Sequence, residues 1–468
     1  MSSRVSRIEF KRSIALWAGV IVLATALAFL YLLNSAWSRG TTAWTAQWTS
    51  MAMWTRSLLF YLWPVALGLG ALQGLRDHRS RISELLTSTP RPAWHRAATV
   101  AGPTAITLLA AFALLVLVGA AQVIANTEYP HLGWLPISLV GALFLIAGAV
   151  LGMGIGRALP SVLTPPVVAM AGITFTSLMQ LSLGQTHTIT ASGIPISEPN
   201  RLSLLSPALR DVRDAFTTVS TSVHLGQVIW LLGMVATGFA LLVVVTSRAK
   251  LIALTPVVAG VLLSMAVLPT EPQRMYVLDE AATEPVCDGP VCVTRTHQAR
   301  LADFAVHGEE ALGLLAGALG DQAPVSIREN TVPTPDGSIP RWTADTVLFG
   351  FDDDHIVAAQ SGEELTRALI AKAMVPGCSP VFSSGGGFNL DEAAAQSIAT
   401  GWVLGDLTAT SGTADVANER ILEQALPVWE ELNALPPSEQ LARINAMRAV
   451  ATSCDGDALS VLAGGASR

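Results

Sequence analysis

Long apolar runs alternate with short polar segments through the first half of the chain, and this alternation stops near residue 268. A helix that crosses a bilayer needs about 20 apolar residues, because each residue advances it by about 1.5 Å through a hydrocarbon core about 30 Å thick. The pattern predicts a polytopic α-helical membrane domain of six to seven spans over residues 1–268, whose last span is the weakest because it is short and contains Pro256. The predicted spans are Ser13–Leu33, Met51–Leu75, Ala97–Gln122, Leu135–Gly156, Ser161–Leu183, Leu225–Thr246 and Leu251–Leu268.

Two polar features interrupt this apolar half. Arg56 lies near one end of the second predicted span, and we expect its guanidinium to reach out to the membrane interface. The segment Gly184–His224 begins with polar residues and then has the spacing of an amphipathic helix. Its apolar face consists of Leu205, Leu209, Val212, Phe216 and Val219. The alternative is a plain surface loop.

The chain beyond residue 268 has the pattern of a water-soluble domain. Residues 269–285 predict a linker, and residues 286–468 predict an α+β domain that is large enough for its own core. The predicted strands are Val291–Thr296, Val325–Thr331, Thr346–Phe351 and His355–Gln360. The predicted helices are Gln298–Leu319, a helix that Ser361 and Glu364 cap and that reaches Val375, Leu390–Leu404, Val416–Leu432 and Ser438–Thr452.

Composition and charge agree with this division. The mean hydropathy is +0.49 and 13% of the residues are charged, whereas soluble domains average about 25%. Residues 1–268 carry 17 Lys and Arg against 7 Asp and Glu, a net charge of +10, and residues 269–468 carry 11 against 28, a net charge of −17. The acidic C-terminal domain argues against nucleic-acid binding.

The positions of the basic residues predict an orientation. Cytoplasmic loops of membrane proteins are enriched in Lys and Arg. Here such residues precede the first span and follow the second, fourth and sixth, which places the N-terminus in the cytoplasm and, after seven crossings, residues 269–468 outside it. These residues are Arg4, Arg7, Lys11, Arg12, Arg76, Arg79, Arg81, Arg91, Arg96, Arg157, Arg248 and Lys250.

All four cysteines, Cys287, Cys292, Cys378 and Cys454, lie in the predicted outer domain. An even number confined to this domain suits an oxidising compartment and agrees with the orientation. Four cysteines allow three pairings, and we prefer Cys287–Cys292, which flank a tight Asp-Gly-Pro turn, together with Cys378–Cys454. A four-thiolate zinc site is the alternative, although its usual C-x2-C spacing is absent.

The loop after the second span, at about residues 76–89, has the pattern of a short amphipathic helix. Ile82, Leu85 and Leu86 share one helical face, charged residues occupy the other, and Pro90 and Pro92 end the helix. Such a helix can lie on lipid headgroups or dock into a groove of a soluble partner. The simpler alternative is a basic loop that only sets the topology.

This loop, placed between spans two and three, resembles the coupling helix of the permease subunits of ABC-2-type ATP-binding-cassette transporters. The resemblance covers about residues 1–246, and the seventh span and the outer domain depart from the simplest six-span pattern. It implies an exporter subunit in a bacterial cell membrane, assembled as a homodimer or heterodimer and driven by a separate cytoplasmic ATPase subunit. It also implies that the ATPase docks on Arg76, Arg79, Arg81, Ile82, Glu84, Leu85 and Leu86.

The absence of other motifs is consistent with that assignment. The chain contains no G-x-x-x-x-G-K-[ST] phosphate loop, so ATP hydrolysis is expected in the partner, and no catalytic motif or cofactor is expected here. Of the 28 basic residues only Lys11, Lys250 and Lys372 are lysines, a preference that is typical of GC-rich bacterial genomes such as those of actinobacteria.

The predicted outer domain also shows a resemblance to a known family. Some bacterial ABC permeases carry an outer domain similar to M1-type zinc aminopeptidases, and Leu390–Ala395 resembles the helix that bears the glutamate ligand in that family. The HExxH positions fall on Leu369–Ala373, which supplies neither histidine nor glutamate. The resemblance therefore implies a degenerate domain without metal. His297, His307 and His355 show no metal-binding spacing of their own.

Transport is thus the first functional hypothesis. The alternative is a membrane-anchored sensor or accessory receptor, whose outer domain binds a ligand or a partner and whose basic loop contacts lipid. An ectoenzyme is the third hypothesis, and the missing catalytic motifs disfavour it.

Overall fold

The computed structural model describes residues 15–33, 44–76, 92–127, 129–189, 195–208, 216–271, 274–332, 341–351, 357, 361–378, 389–409 and 415–465. The chain divides into two compact units, Met1–Thr188 with Ser197–Leu278, and Ile189–Ile196 with Asp279–Arg468.

The first unit is built mainly of helices. They are α1 (Ala15–Ala28, continued by a π-helical turn, Phe29–Leu33), α2 (Trp48–Ser57), α3 (Leu59–Gly74), α4 (Ala93–Asn126), α5 (Trp134–Ala158), α6 (Thr164–Leu181), α7 (Thr221–Val243), α8 (Ser247–Ile252) and α9 (Thr255–Val267). Two short strand pairs accompany them, β1 (Gln185–Ile189) with β2 (Pro195–Pro199), and β3 (Thr217–Val219) with β4 (Tyr276–Leu278).

Within the described ranges, four helical segments are long and apolar enough to cross a membrane. They are α4, α5, α7 and the combined α8–α9 segment, Ser247–Val267. The pair α2–α3, bent by 48°, becomes a fifth candidate if it is counted as one span. The first predicted span forms a shorter apolar helix and the fifth forms α6. Apolar helices of this length suggest insertion in a membrane.

Helices α3 and α5 form the closest helix–helix contact in the described part of the first unit, since glycines on both helices let the two backbones meet. A Cβ at Gly70 would lie 2.1 Å from the carbonyl oxygen of Ala149, and a Cβ at Gly152 would lie 2.1 Å from that of Leu67. The glycines four residues after each of them repeat the contact. Such small-xxx-small faces are a common way for membrane helices to associate through backbone van der Waals contact.

The second unit combines a four-stranded sheet with helices. Its strands are β5 (Pro285–Asp288), β6 (Val291–Thr294), β7 (Ser326–Glu329) and β8 (Thr346–Phe349), in the order β5-β6-β7-β8. The pair β5–β6 is antiparallel, while β6–β7 and β7–β8 are parallel. Its helices are α10 (Leu301–Leu319), α11 (Glu363–Met374), α12 (Leu390–Leu404), α13 (Asp415–Asn433), α14 (Pro437–Ser453) and α15 (Ala458–Leu462).

The core of the second unit lies between the sheet and the helices. Helix α10 connects β6 to β7 and packs back onto them, with Phe304 stacked on Phe349 at a centroid distance of 4.6 Å. Gly308 lets α10 approach Val291 and Ile327, which are fully buried. Helix α11 packs against α10, β8 and α12. An α+β unit follows from these contacts.

Three details differ from the sequence predictions. Helix α11 begins after Gly362 without a side-chain cap, so the capping box of Ser361 and Glu364 is wrong. The predicted linker, residues 269–285, contains β4, which pairs with β3. Its last residue, Pro285, is the first residue of β5 in the sheet of the second unit. The predicted amphipathic helix is also wrong where it is described, because Ser203–Leu205 is a 3-10 turn and Thr217–Val219 is a strand.

Candidate functional site

The predicted docking loop lies between two helices of the first unit. Helix α3 ends at Gly74, Leu75 caps it and is 2% exposed, and Arg76 follows. Helix α4 begins at Ala93. Of the predicted docking residues the structure describes Arg76 alone; the others lie outside the described residues, namely Arg79, Arg81, Ile82, Glu84, Leu85 and Leu86.

Both helices that flank the loop are packed into the unit. Helix α3 contacts α5 and α6, and α4 contacts α1 and α5. Trp63 of α3 stacks on Phe144 of α5, with 4.7 Å between ring centroids and 10° between ring planes. The glycine faces of α3 and α5 lie in the same interface. The loop is therefore joined directly to the most closely packed helix pair of the unit.

Arg56 is a polar centre that the sequence did not reveal. It lies in the last turn of α2 and is 0% exposed, so the expectation that it reaches the membrane interface is wrong. Its Nε donates to the carbonyl oxygen of Pro207 at 2.6 Å, and its Nη2 donates to the side-chain oxygen of Gln227 on α7. The buried guanidinium thus joins α2, α7 and the segment before β3.

The backbone of that segment, Leu204–Ala208, depends on side chains for its hydrogen bonds. Gln227 Nε2 donates to the carbonyl of Leu204 at 2.9 Å, and Trp230 Nε1 donates to that of Leu205 at 3.0 Å. Gln180 Nε2, on α6, donates to the carbonyl of Ala208 at 2.6 Å. Buried carbonyls outside regular secondary structure require such partners. The donors on α6 and α7, together with Arg56 on α2, therefore fix the path of this segment.

Three buried polar atoms at this centre have no hydrogen-bond partner in the structure. They are Arg56 Nη1, Ser206 Oγ and His224 Nδ1. Ser206 precedes Pro207, and His224 lies about one helical turn before Gln227 on α7, so both adjoin residues that Arg56 contacts. Among the residues that the structure describes, no Asp or Glu forms an ion pair with Arg56. The centre therefore carries a buried positive charge, and three of its polar atoms lack hydrogen-bond partners.

The two preferred disulfides are present in the second unit. Cys287–Cys292 joins directly opposed residues of β5 and β6, with 4.1 Å between Cα atoms, and Cys378–Cys454 joins the chain after α11 to the end of α14, with 5.5 Å between Cα atoms. All four thiols are consumed, so the alternative of a four-thiolate zinc site is excluded. The disulfides indicate an oxidising environment for this unit.

A buried acid–base pair lies where two parallel strands end. Glu329, the last residue of β7, accepts hydrogen bonds from the Thr294 backbone N–H at 2.7 Å and from His297 Nδ1 at 2.5 Å. Arg300 lies 4.1 Å from the centroid of the Phe351 ring beside this pair. Burial lowers the pKa of Arg300, while the nearby carboxylates of Glu329 and Asp303 act in the opposite direction.

The other histidines do not extend this pair into a metal site within the described ranges. His307 contacts Thr366 and Glu310 on the helical side of the unit, and His355 lies outside the described residues. No group of three or more His, Cys, Asp or Glu in the described part of the chain is arranged to hold a metal ion. The Glu329–His297 pair therefore links the end of β7 to the chain that follows β6.

The segments of the aminopeptidase comparison lie on neighbouring helices. Leu369, Ile370 and Ala371 are fully buried in α11, which packs against α12. Glu392 of α12 accepts a hydrogen bond from the Cys378 backbone N–H at 3.2 Å. Burial raises the pKa of Glu392, and that hydrogen bond and the charge of Lys372 oppose the rise. Glu392 thus contacts the backbone at the Cys378–Cys454 disulfide.

Comparison with known proteins returned no match: no family model matches the chain, and no curated protein or solved structure is significantly similar to it.

Proposed function

We propose that the chain is the membrane-spanning permease subunit of an ABC-2-type exporter. A separate cytoplasmic ATPase subunit docks on the loop between the second and third spans and supplies the energy. The chain forms a homodimer or heterodimer in the membrane, with its N-terminus in the cytoplasm and residues 269–468 outside it. The sequence resemblance of residues 76–89 is the origin of this proposal.

The observation that carries the proposal is the way in which the docking loop is attached. Its first residues follow α3, whose backbone meets that of α5 through reciprocal glycine contacts. Packed helices transmit displacement as units, because close-packed interiors do not deform continuously. A force applied to the loop therefore moves α3 and α5 together, as a coupling element requires.

The disulfides support the proposed orientation. They occur only in the second unit, whereas four or more apolar helices occur in the first. Disulfides persist outside the cytoplasm and are rare within it. The sign of the charge asymmetry agrees, since the basic half carries the loops that the orientation places inside the cell.

The test is co-purification of the ATPase with variants of the loop. Leu85→Asp places a charge on the apolar face of the predicted helix and should abolish co-purification, while membrane insertion is retained. Ser80→Asp adds the same charge on the opposite face, by helical spacing, and should leave co-purification unchanged. Equal retention of the ATPase by both variants would contradict the docking role.

A membrane-anchored sensor or accessory receptor is the second candidate, because the second unit is compact, has its own core and carries two disulfides. In that case the purified wild-type protein carries no ATPase, and its outer unit binds a ligand or partner without any ATP-dependent step.

A further inference from the structure

We propose that the centre formed by Arg56, Ser206 and His224 binds an oxyanion, the phosphate group of a lipid headgroup or a free phosphate. This site does not depend on the proposed transport, since a sensor or an accessory protein with the same helices would contain it as well.

Arg56 carries a buried positive charge. Its guanidinium is fully buried, and its described partners, the Pro207 carbonyl and the Gln227 amide oxygen, are neutral. A buried charge without a counter-charge is strongly unfavourable, and ionisable residues inside membrane domains generally pair with an opposite charge or mark a binding site. A bound anion would therefore stabilise the buried charge of Arg56.

Several hydrogen-bond donors of Arg56 and its neighbours remain without an acceptor. Arginine carries five N–H donors; two are used by Pro207 and Gln227, which leaves three, two of them on Nη1. Nη1, Ser206 Oγ and His224 Nδ1 are all buried and have no hydrogen-bond partner in the structure. Ser206 precedes Pro207 in the chain, and His224 lies about one helical turn before Gln227, so these groups adjoin the two residues that Arg56 contacts. Together they form a set that an oxyanion can satisfy.

The chemistry of these groups suits an oxyanion such as phosphate. Guanidinium groups present N–H donors in a planar fork that matches the oxygens of phosphate, and the hydroxyl and imidazole supply single hydrogen bonds. Polar groups preorganised by neighbouring helices bind without further ordering. Here Gln180, Gln227 and Trp230 hold the segment that carries Ser206.

The experiment uses the full-length protein in nanodiscs of phosphatidylcholine alone and of phosphatidylcholine with about 30% phosphatidylglycerol. Thermal unfolding is measured with and without inorganic phosphate, and bound lipid is counted by native mass spectrometry. We expect the melting temperature to rise with phosphate, with phosphatidylglycerol, or with both. Phosphate alone identifies a soluble anion as the ligand, and phosphatidylglycerol alone identifies a lipid headgroup. No rise with either anion overturns the proposal.

Variants locate the effect. Arg56→Gln should weaken the binding of the active anion about 10- to 100-fold, the loss expected for charge-assisted hydrogen bonds. Arg248→Gln removes the same charge from an exposed residue and should change the affinity less than about 2-fold. If Arg56→Gln does not fold, His224→Ala and Ser206→Ala, which keep the charge, should each still weaken binding. Equal affinity of these variants and Arg248→Gln overturns the proposal.

A counter-charge within the chain is the rival explanation, since Asp211 and Asp214 follow Pro207 closely in sequence. In that case Asp211→Asn or Asp214→Asn destabilises the protein as much as Arg56→Gln, the double variant adds nothing further, and neither anion raises the melting temperature. That combined result overturns the proposal as well.

Discussion

Replacement of Gly152 by alanine tests the contact that joins the docking loop to the rest of the first unit. The added Cβ would lie 2.1 Å from the Leu67 carbonyl oxygen and 3.0 Å from the Ala71 backbone nitrogen. Real Cβ contacts do not fall below 3.0 Å, so α3 and α5 must separate by about 0.9 Å at this point. The obstructing atoms belong to the backbone and have no alternative rotamer.

The magnitude follows from two opposing terms. Overpacking of a close-packed interface costs about 1–3 kcal/mol, and replacement of a helical glycine by alanine returns about 0.5–1 kcal/mol. Gly102, inside α4, has nothing within 4 Å of its added Cβ. Gly102→Ala therefore meets no neighbouring helix, but Pro103 cancels much of its helical gain, because a Cβ before proline is disfavoured in a helix. The two variants should differ in free energy of unfolding by about 0.5–2 kcal/mol.

The assay is unfolding of each purified variant in mixed micelles of dodecylmaltoside and SDS, followed by tryptophan fluorescence. We expect Gly152→Ala to unfold at lower SDS than the wild type and Gly102→Ala at equal or higher SDS. If both variants have the same midpoint, α3 and α5 do not meet backbone to backbone, and the argument that the loop moves both helices loses its support.

The remaining predictions concern the second unit. Glu329→Ala removes one hydrogen-bond partner of the buried His297 and the carboxylate that accepts from the Thr294 N–H, and should destabilise the unit by about 1–3 kcal/mol in urea unfolding. Glu284→Ala, at an exposed ion pair with Arg295, should cost about 0–1 kcal/mol; equal losses would refute the buried link. The double variant Cys378→Ser, Cys454→Ser opens a disulfide with a sequence separation of 76 and should lower the stability by about 4 kcal/mol, against about 2 kcal/mol for Cys287→Ser, Cys292→Ser with a separation of 5; the reverse order in urea unfolding would contradict the assigned pairing.

The features that sequence reasoning could predict are those with local causes. The length of an apolar run alone indicates a helix that can span a membrane, and the apolar runs of the first half do coincide with helices. Helix α12 has the predicted bounds, because Asn389 caps its start and Gly405, in a left-handed conformation, ends it. The preferred cysteine pairs follow from the tight turn between Cys287 and Cys292, which leaves Cys378 and Cys454 to pair with each other.

The features that sequence reasoning missed depend on contacts distant in the chain. Arg56 is buried by Pro207 and Gln227, which are 151 and 171 residues away, and nothing local indicates those partners. Strand β4 forms inside a predicted linker because Thr217–Val219 supplies its partner. His297 and Glu329 meet only because β6 and β7 are parallel neighbours. The one sequence signal for Glu329 is an acidic residue inside the predicted strand Val325–Thr331.

The central claim is that the loop after α3 contacts an ATPase inside the cell, and site-specific crosslinking tests it most directly. A photoreactive phenylalanine analogue is incorporated at position 86, on the apolar face of the predicted helix, and at position 80, on the opposite face, in cells that express the native partners. We expect position 86 to yield an adduct whose mass spectrum identifies a protein with a G-x-x-x-x-G-K-[ST] phosphate loop, and position 80 to yield much less of it. Adducts with lipid alone at position 86 would contradict the account.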